Sequence, residues 1–370
     1  MTDTKLARNW KYYQRSLFPI IKEPEDAATE GIQRLYHVLD TLQMGQYFRP
    51  QGSDGGGRPP KDRLAILRSF VAKVVLNIPT TKALIERIKS DPQLRRICQW
   101  ESKRDVACEA TFSNAFAEFA ASELLAVIHQ ELIVRSYKDK LVGHVARDAT
   151  AIESREKPAK KPKTAGKMDL KPKKKRGRPK AGEERPPAEE KRIERQMHMP
   201  LADSLAELPK PCDRGAKTNA KGYQETWNGY KLHLDVTEHG VPVSCILTSA
   251  SLHDSQVAIP LETMTAQRIT HCYSLMDKGY CSESISFYAE SLGKVAIIDP
   301  KKPRGGELIP LDPAKKERYK IRTVVERTNS ELKDNAGGRY VRVKGHLKVM
   351  THLMFGVLVI SAEQLLRHVL

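Results

Sequence analysis

Apolar residues recur three or four positions apart through the first third of the chain. Ile32, Leu35, Leu39 and Leu42 mark one face of a predicted helix, and Leu64, Leu67, Val71, Val74 and Val75 mark a second that Pro59-Pro60 is placed to open. After the break at Asn77-Ile78-Pro79 the pattern resumes in TTKALIERIKSDPQLRRIC, and Thr111 is the expected N-cap of a helix through FSNAFAEFAASELLAVIHQELI. Residues 1–140 therefore read as an all-α N-terminal domain. Short helices with tight connections admit a DNA-binding helix-turn-helix, and a helical dimerisation domain fits the same pattern equally well.

The period changes near residue 141. LVGHVARDATAI alternates as a strand, and YKLHLDVT and VPVSCILTS flank Glu238-His239-Gly240 as a predicted hairpin. A helix over 254–267, the strand HCYSLMD, a helix near 283–291, the strand KVAIID and a long helix from about 313 follow. Strand, hairpin, helix, strand, helix, strand, helix is a mixed α/β order. It is compatible with a ribonuclease-H-like catalytic domain over 141–370, with a mixed five-stranded sheet, and other α/β folds admit it too.

Charge changes the picture between these units. The chain has 63 Lys+Arg against 45 Asp+Glu in 370 residues, a net of +18. Residues 155–180 hold 13 basic and 2 acidic residues, a net of +11, with prolines at 158, 162, 172 and 179. Such a self-repelling stretch cannot offset its own ordering entropy, so 155–222 reads as a disordered basic insertion: a solvated spacer or a polyanion-binding arm. Within it Lys174, Lys175, Arg176, Gly177, Arg178 and Pro179 resemble an AT-hook, in which arginine enters a narrow minor groove.

No stretch approaches the ~18 uninterrupted apolar residues of a membrane span, and the start MTDTKLARNWKYYQRSLF lacks a secretory pattern. The six cysteines contain no CxxC pair, which disfavours a disulfide framework or structural zinc and suits a reducing cytoplasm.

Candidate chemistry lies in three acidic residues. On a helical wheel with Tyr319 at zero, Arg322, Glu326 and Lys333 fall at about 300°, 340° and 320°. This polar front carries one carboxylate between two cations, opposite an apolar back; a solvated helix face with ordinary ion pairs would look the same. Asp148 interrupts an apolar strand, and Asp277 ends another before Lys278-Gly279-Tyr280. A charge in such a strand is costly unless it is paired or metal-bound. Converging, these carboxylates could hold two Mg²⁺ ions about 4 Å apart for in-line phosphoryl displacement, with Mn²⁺ able to substitute.

The spacing Tyr319-(2)-Arg322-(3)-Glu326-(6)-Lys333, with Asp148-Ala-Thr and Asp277-Lys-Gly-Tyr upstream, resembles the insertion-sequence transposases with an Asp-Asp-Glu (DDE) triad and a Tyr/Arg/Glu/Lys signature. The similarity covers about residues 141–365, and GRPPKDRLAILRSFVAKVVL resembles their N-terminal domain. The resemblance implies a ribonuclease-H-like catalytic domain with Asp148, Asp277 and Glu326 as Mg²⁺ ligands. It implies that Tyr319, Arg322 and Lys333 grip transposon-end DNA, that a homodimer holds two ends, and that the bacterial nucleoid is the place of action. Leu252-His253-Asp254-Ser255 resembles a recurrent segment of the family; Asp254 or Ser255 is expected to cap a helix, with His253 and Asp254 as auxiliary groups otherwise. The chain departs from some relatives in two intervals. Only 48 residues separate Asp277 from Glu326, too few for their large β-rich insertion, while the basic segment lengthens the interval from Asp148 to Asp277. Two rivals remain: a nuclease that cuts without joining, and a catalytically silent DNA-binding protein.

Overall fold

The computed structural model describes residues 29–48, 61–159, 190–218, 222–302 and 305–370. Six helices come first: α1 (Glu30–Leu42), α2 (Arg63–Val75), α3 (Thr81–Ser90), α4 (Pro92–Ile97), α5 (Glu109–Ala121) and α6 (Leu124–Ser136). Local signals account for their ends. Asp62 caps α2 by accepting from the Leu64 and Ala65 amides, Thr80 caps α3, and Asp91 caps α4 ahead of Pro92. The expected start of α2 at Pro59-Pro60 falls outside the described residues.

Two helix boundaries differ from expectation. The stretch read as one helix after Thr111 is two, because Glu123 adopts a left-handed conformation (φ 50°) between α5 and α6. Its first helix begins at Glu109, so Thr111 lies inside the helix, with its hydroxyl on the Cys108 sulfur.

The second unit is built on β1 (Leu141–Glu153), β2 (Asp213–Thr218), β3 (Gln224–Thr237), β4 (Pro242–Ser249), β5 (Thr270–Met276) and β6 (Val295–Ile298). β1 is central. β3 pairs with it antiparallel and in turn carries β4, while β5 pairs with β1 in parallel and β6 extends the sheet beyond β5. These five strands form the mixed ribonuclease-H-like sheet, and the short β2, paired with the first half of β3, makes a sixth strand where five were expected. Gly229 marks the place where β1, β2 and β3 meet. Its φ is +153°, and a Cβ there would lie 2.1 Å from the Ile152 carbonyl oxygen, so a side chain cannot be accommodated without moving backbone.

Helices α7 (Arg192–Gln196) and α8 (Leu201–Ala206) precede β2; α9 (Ala258–Ala266) and α10 (Glu283–Ser291) flank the parallel strands; α11 (Pro313–Tyr319), α12 (Thr323–Asp334) and α13 (His346–His368) complete the chain. The basic insertion expected to run to residue 222 is thus ordered over 190–218, because Ile193, Leu208 and Cys212 supply buried apolar anchors within a charged sequence. Lys174, Lys175, Arg176 and Arg178 lie outside the described residues.

α13 joins the two halves. It is long and apolar enough to cross a membrane, yet most of it is buried here, packed on α1, α2, α5, α6, α12 and β4. Phe355 lies 5.4 Å from Phe70 and 6.1 Å from Phe116 between ring centroids, and Glu363 pairs with Arg34 of α1. His129 of α6 completes the junction, its Nε2 2.9 Å from the Pro242 carbonyl oxygen. The N-terminal helices and the sheet consequently share one hydrophobic core.

Candidate active site

Parallel pairing brings two of the three carboxylates to corresponding positions. Ala146 of β1 stands opposite Leu275 of β5, and two residues further along each chain lie Asp148 and Asp277, at the carboxyl edge of the parallel pair. Because side chains alternate, both fall on the same face of the sheet. This is the edge at which open α/β sheets expose their functional groups. The Asp277 Oδ1 accepts from the Gly279 amide at 2.8 Å, which fixes the turn after β5.

The opposite face holds β1 still. Arg147, fully buried, donates to both carboxylate oxygens of Asp235 on β3 (2.7 Å each), to Glu262 of α9 (2.8 Å) and to the Ala258 carbonyl. Glu262 also meets His271, Ser274 and Lys294. This network ties β1, β3, β5 and α9 directly behind Asp148. Arg147 was not singled out from sequence, because its partners Asp235 and Glu262 lie 88 and 115 residues away along the chain.

The third carboxylate arrives on a helix that is not continuous. The predicted long helix from about 313 breaks into α11, a 3₁₀ turn at Lys320–Arg322, and α12. The Thr323 hydroxyl donates to the Lys320 carbonyl at the junction. Tyr319 ends α11, Arg322 lies in the turn, and Glu326 and Lys333 share one face of α12, so the single wheel drawn across all four residues does not hold. Arg322 still reaches both partners: it donates to Asp148 Oδ1 at 3.0 Å and to Glu326 Oε1 at 2.6 Å. Asn329, one turn beyond Glu326, donates to Asp148 Oδ2 at 3.0 Å. Its own Oδ1 is buried without a partner, as is Arg322 Nε. Asn329 was not singled out from sequence, although its i+3 spacing from Glu326 was a readable signal.

Electrostatics follow the burial. The Asp148 side chain is 21% exposed, and Glu326 is 56% exposed. Burial pushes the Asp148 carboxyl up to about 6; Arg322 opposes this, while Asp277 and Asp254 reinforce it. Tyr319 is raised to about 12, first by burial, with Asp299, Asp277 and Glu326 adding to it against Arg322. Asp148, Asp277, Glu326, Tyr319 and Arg322 thus form one electrostatic neighbourhood, joined by Asp299, which sequence reading had passed over. Lys333 stands apart, seven residues or about 10 Å along α12 from Glu326. Its ammonium is held below the usual range by burial and by Lys217 and Arg339.

The segment at 252–255 is arranged differently from expectation. His253 is the N-cap of the short 3₁₀ turn, its Nδ1 accepting from the Ser255 amide, while Asp254 pairs with Lys231 at 2.9 Å. The cap expected at Asp254 or Ser255 thus falls one residue earlier, on His253, and Lys231 on β3 captures the Asp254 carboxylate. Among the described residues no three His, Cys, Asp or Glu side chains are gathered tightly enough to hold an ion as they stand. Arg322 supplies the positive charge between Asp148 and Glu326.

The family comparisons agree with this architecture. Residues 199–361 match a family model described as Transposase DDE domain, and residues 22–118 match one described as Transposase domain (DUF772). The first match spans Asp277 and Glu326 and begins beyond Asp148, which the basic segment separates from the rest of the domain. No curated protein and no solved structure matches the chain. A helical N-terminal transposase domain leading into a ribonuclease-H-like sheet with a DDE domain match makes this chain a member of the insertion-sequence DDE transposases.

Proposed function

We propose that the chain binds the terminal inverted repeats of its own mobile element, cleaves DNA there in a Mg²⁺-dependent reaction, and joins the freed 3′-hydroxyl to target DNA. The family generally uses divalent metal ions. The observation that carries the reading is the meeting of Asp148 and Asp277 at one sheet edge with Arg322 spanning Asp148 and Glu326. A buried carboxylate raised to about 6 is poorly stabilised by its present surroundings, and a hard divalent cation would supply the missing charge.

The donor set fits Mg²⁺, with Mn²⁺ able to substitute: Asp148, Asp277 and Glu326 offer hard carboxylate oxygens, and Asn329 Oδ1 is a further buried oxygen without a partner. Bound ions would activate the attacking water or 3′-hydroxyl and neutralise the leaving oxygen. Arg322 would exchange its carboxylate partners for a DNA phosphate. Its planar fork suits either role. Tyr319 would border the reacting phosphate, and Lys333 would hold the backbone further along α12. Lys174, Lys175, Arg176 and Arg178 would add sequence-independent phosphate contacts from the basic arm. Two such chains would hold two ends in a synaptic homodimer, acting at the bacterial nucleoid.

The test is a reaction of purified protein with a duplex carrying the inverted repeats that flank its reading frame, plus a supercoiled target. Joined products with Mg²⁺ and none with EDTA are expected. Nicked products without joining would favour the nuclease reading, and binding without either would favour a silent DNA-binding protein.

A further inference from the structure

The connection between α12 and α13 carries a charge pattern that the triad and its signature do not use. Residues 339–348, RYVRVKGHLK, contain four Lys or Arg and no acidic residue. In this stretch Val341 is buried and Val343 half-buried, while Arg339, Arg342, Lys344 and Lys348 are exposed. Alternation therefore sends the apolar side chains inward and the cations outward.

The segment is anchored. The Gly338 and Arg339 amides donate to the Leu332 and Lys333 carbonyls at the end of α12, and His352 Nε2 lies 3.0 Å from the Gly337 carbonyl oxygen. At the far end the Gly345 amide donates to Glu156 Oε1 at 2.7 Å, an oxygen that also accepts from the Tyr230 hydroxyl. Arg339 is tied to Asp334. Among the described residues Arg342, Lys344 and Lys348 have no carboxylate partner.

Like charges are held together along this path. Arg342 approaches half-buried Lys73 of α2 closely enough to add to the lowering of its ammonium by burial. Lys333 is crowded in the same way by Lys217 of β2 and by Arg339. Neighbouring cations on an anchored backbone repel one another, and a polyanion laid across them removes that cost.

We infer that the 339–348 segment is a DNA-backbone track that continues from Lys333 away from the carboxylates, with Arg342, Lys344 and Lys348 each contacting a separate phosphate along the bound duplex. It rests on the reading of the chain as a DNA transposase and extends it to a surface outside the catalytic signature. Arg342 and Lys344 lie about 6.6 Å apart along an extended chain, close to the axial rise of two nucleotides, about 6.8 Å. Tyr340, 73% exposed beside this row, offers a flat face to a sugar or base.

Each phosphate contact contributes about 0.9 to the slope of log affinity against log salt concentration. The test uses the full-length chain and a labelled random-sequence duplex, since the proposed contacts are sequence-independent. The triple variant Arg342→Gln, Lys344→Gln, Lys348→Gln should flatten the slope by about 2 to 3. The charge-preserving triple Arg342→Lys, Lys344→Arg, Lys348→Arg should keep it. An unchanged slope in the first variant overturns the track while leaving DNA binding intact, and equal losses in both variants overturn it in favour of a packing role. Failure of the unaltered protein to bind the duplex at any salt overturns both the track and the DNA-binding part of the proposed function.

Discussion

Asp148→Asn is expected to stabilise the fold at neutral pH while removing an active-site carboxylate. Burial raises this carboxyl from 3.8 to about 6 even with Arg322 at 3.0 Å. A folded-state value above the unfolded one means that the native state holds the proton more tightly. The stability contributed by this site is therefore fully present below pH 3.8 and lost as the pH rises through about 6. A shift of roughly two units corresponds to about 3 kcal/mol at most. Asparagine keeps an oxygen for Arg322 and never ionises, so the variant should gain up to about 3 kcal/mol over the parent at pH 8 and almost nothing near pH 4. Urea unfolding of both proteins across that range, in EDTA, measures the difference directly. A gap that stays constant with pH would refute the assignment of the strain to Asp148 ionisation. Saturating Mg²⁺ should then stabilise the parent and leave the variant unmoved, as binding to the native state alone requires.

Other consequences are read from the same kind of measurement. Arg147→Met leaves Asp235 and Glu262 buried without their shared cation and should cost about 3–5 kcal/mol in urea unfolding. Phe355→Ala empties the contact among α2, α5 and α13 and should cost about 3–5 kcal/mol. Because the core is shared, tryptophan fluorescence and far-ultraviolet dichroism should report one common transition for that variant, and separate transitions would contradict the shared core. Gly229→Ala should destabilise by about 1–3 kcal/mol, since its Cβ would meet the Ile152 carbonyl oxygen at 2.1 Å.

Much of the catalytic unit was legible because its strands are short, strongly patterned and bounded by turns. β1, β3, β4, β5 and β6 all fall where alternation and turn residues predict them. Asp148 and Asp277 were visible as charges where apolar residues belonged. Three features escaped for identifiable physical reasons. The break at Lys320–Arg322 has no proline or glycine to announce it, so the helical period ran through it unmarked. The role of Asn329 depends on Asp148, 181 residues away, and local spacing cannot supply that pairing. The helices at 192–206 and the strand β2 are stabilised by tertiary contacts within a sequence whose charge and proline content point to disorder. No separate element was expected at His346–His368, the span of α13, whose apolar residues surround the whole helix, and only the packed structure reveals helices and sheet on its different sides.

The central claim is that three carboxylates, on strand β1, on the turn that follows β5 and on helix α12, carry the DNA chemistry. It is tested most directly by Mg²⁺-dependent nicking of an end-bearing duplex with Asp148→Asn, Asp277→Asn and Glu326→Gln, each compared with the parent for binding and for cleavage. Loss of cleavage in all three, with binding of the duplex retained, is the predicted result. Parent-level cleavage by any one of them would contradict the account.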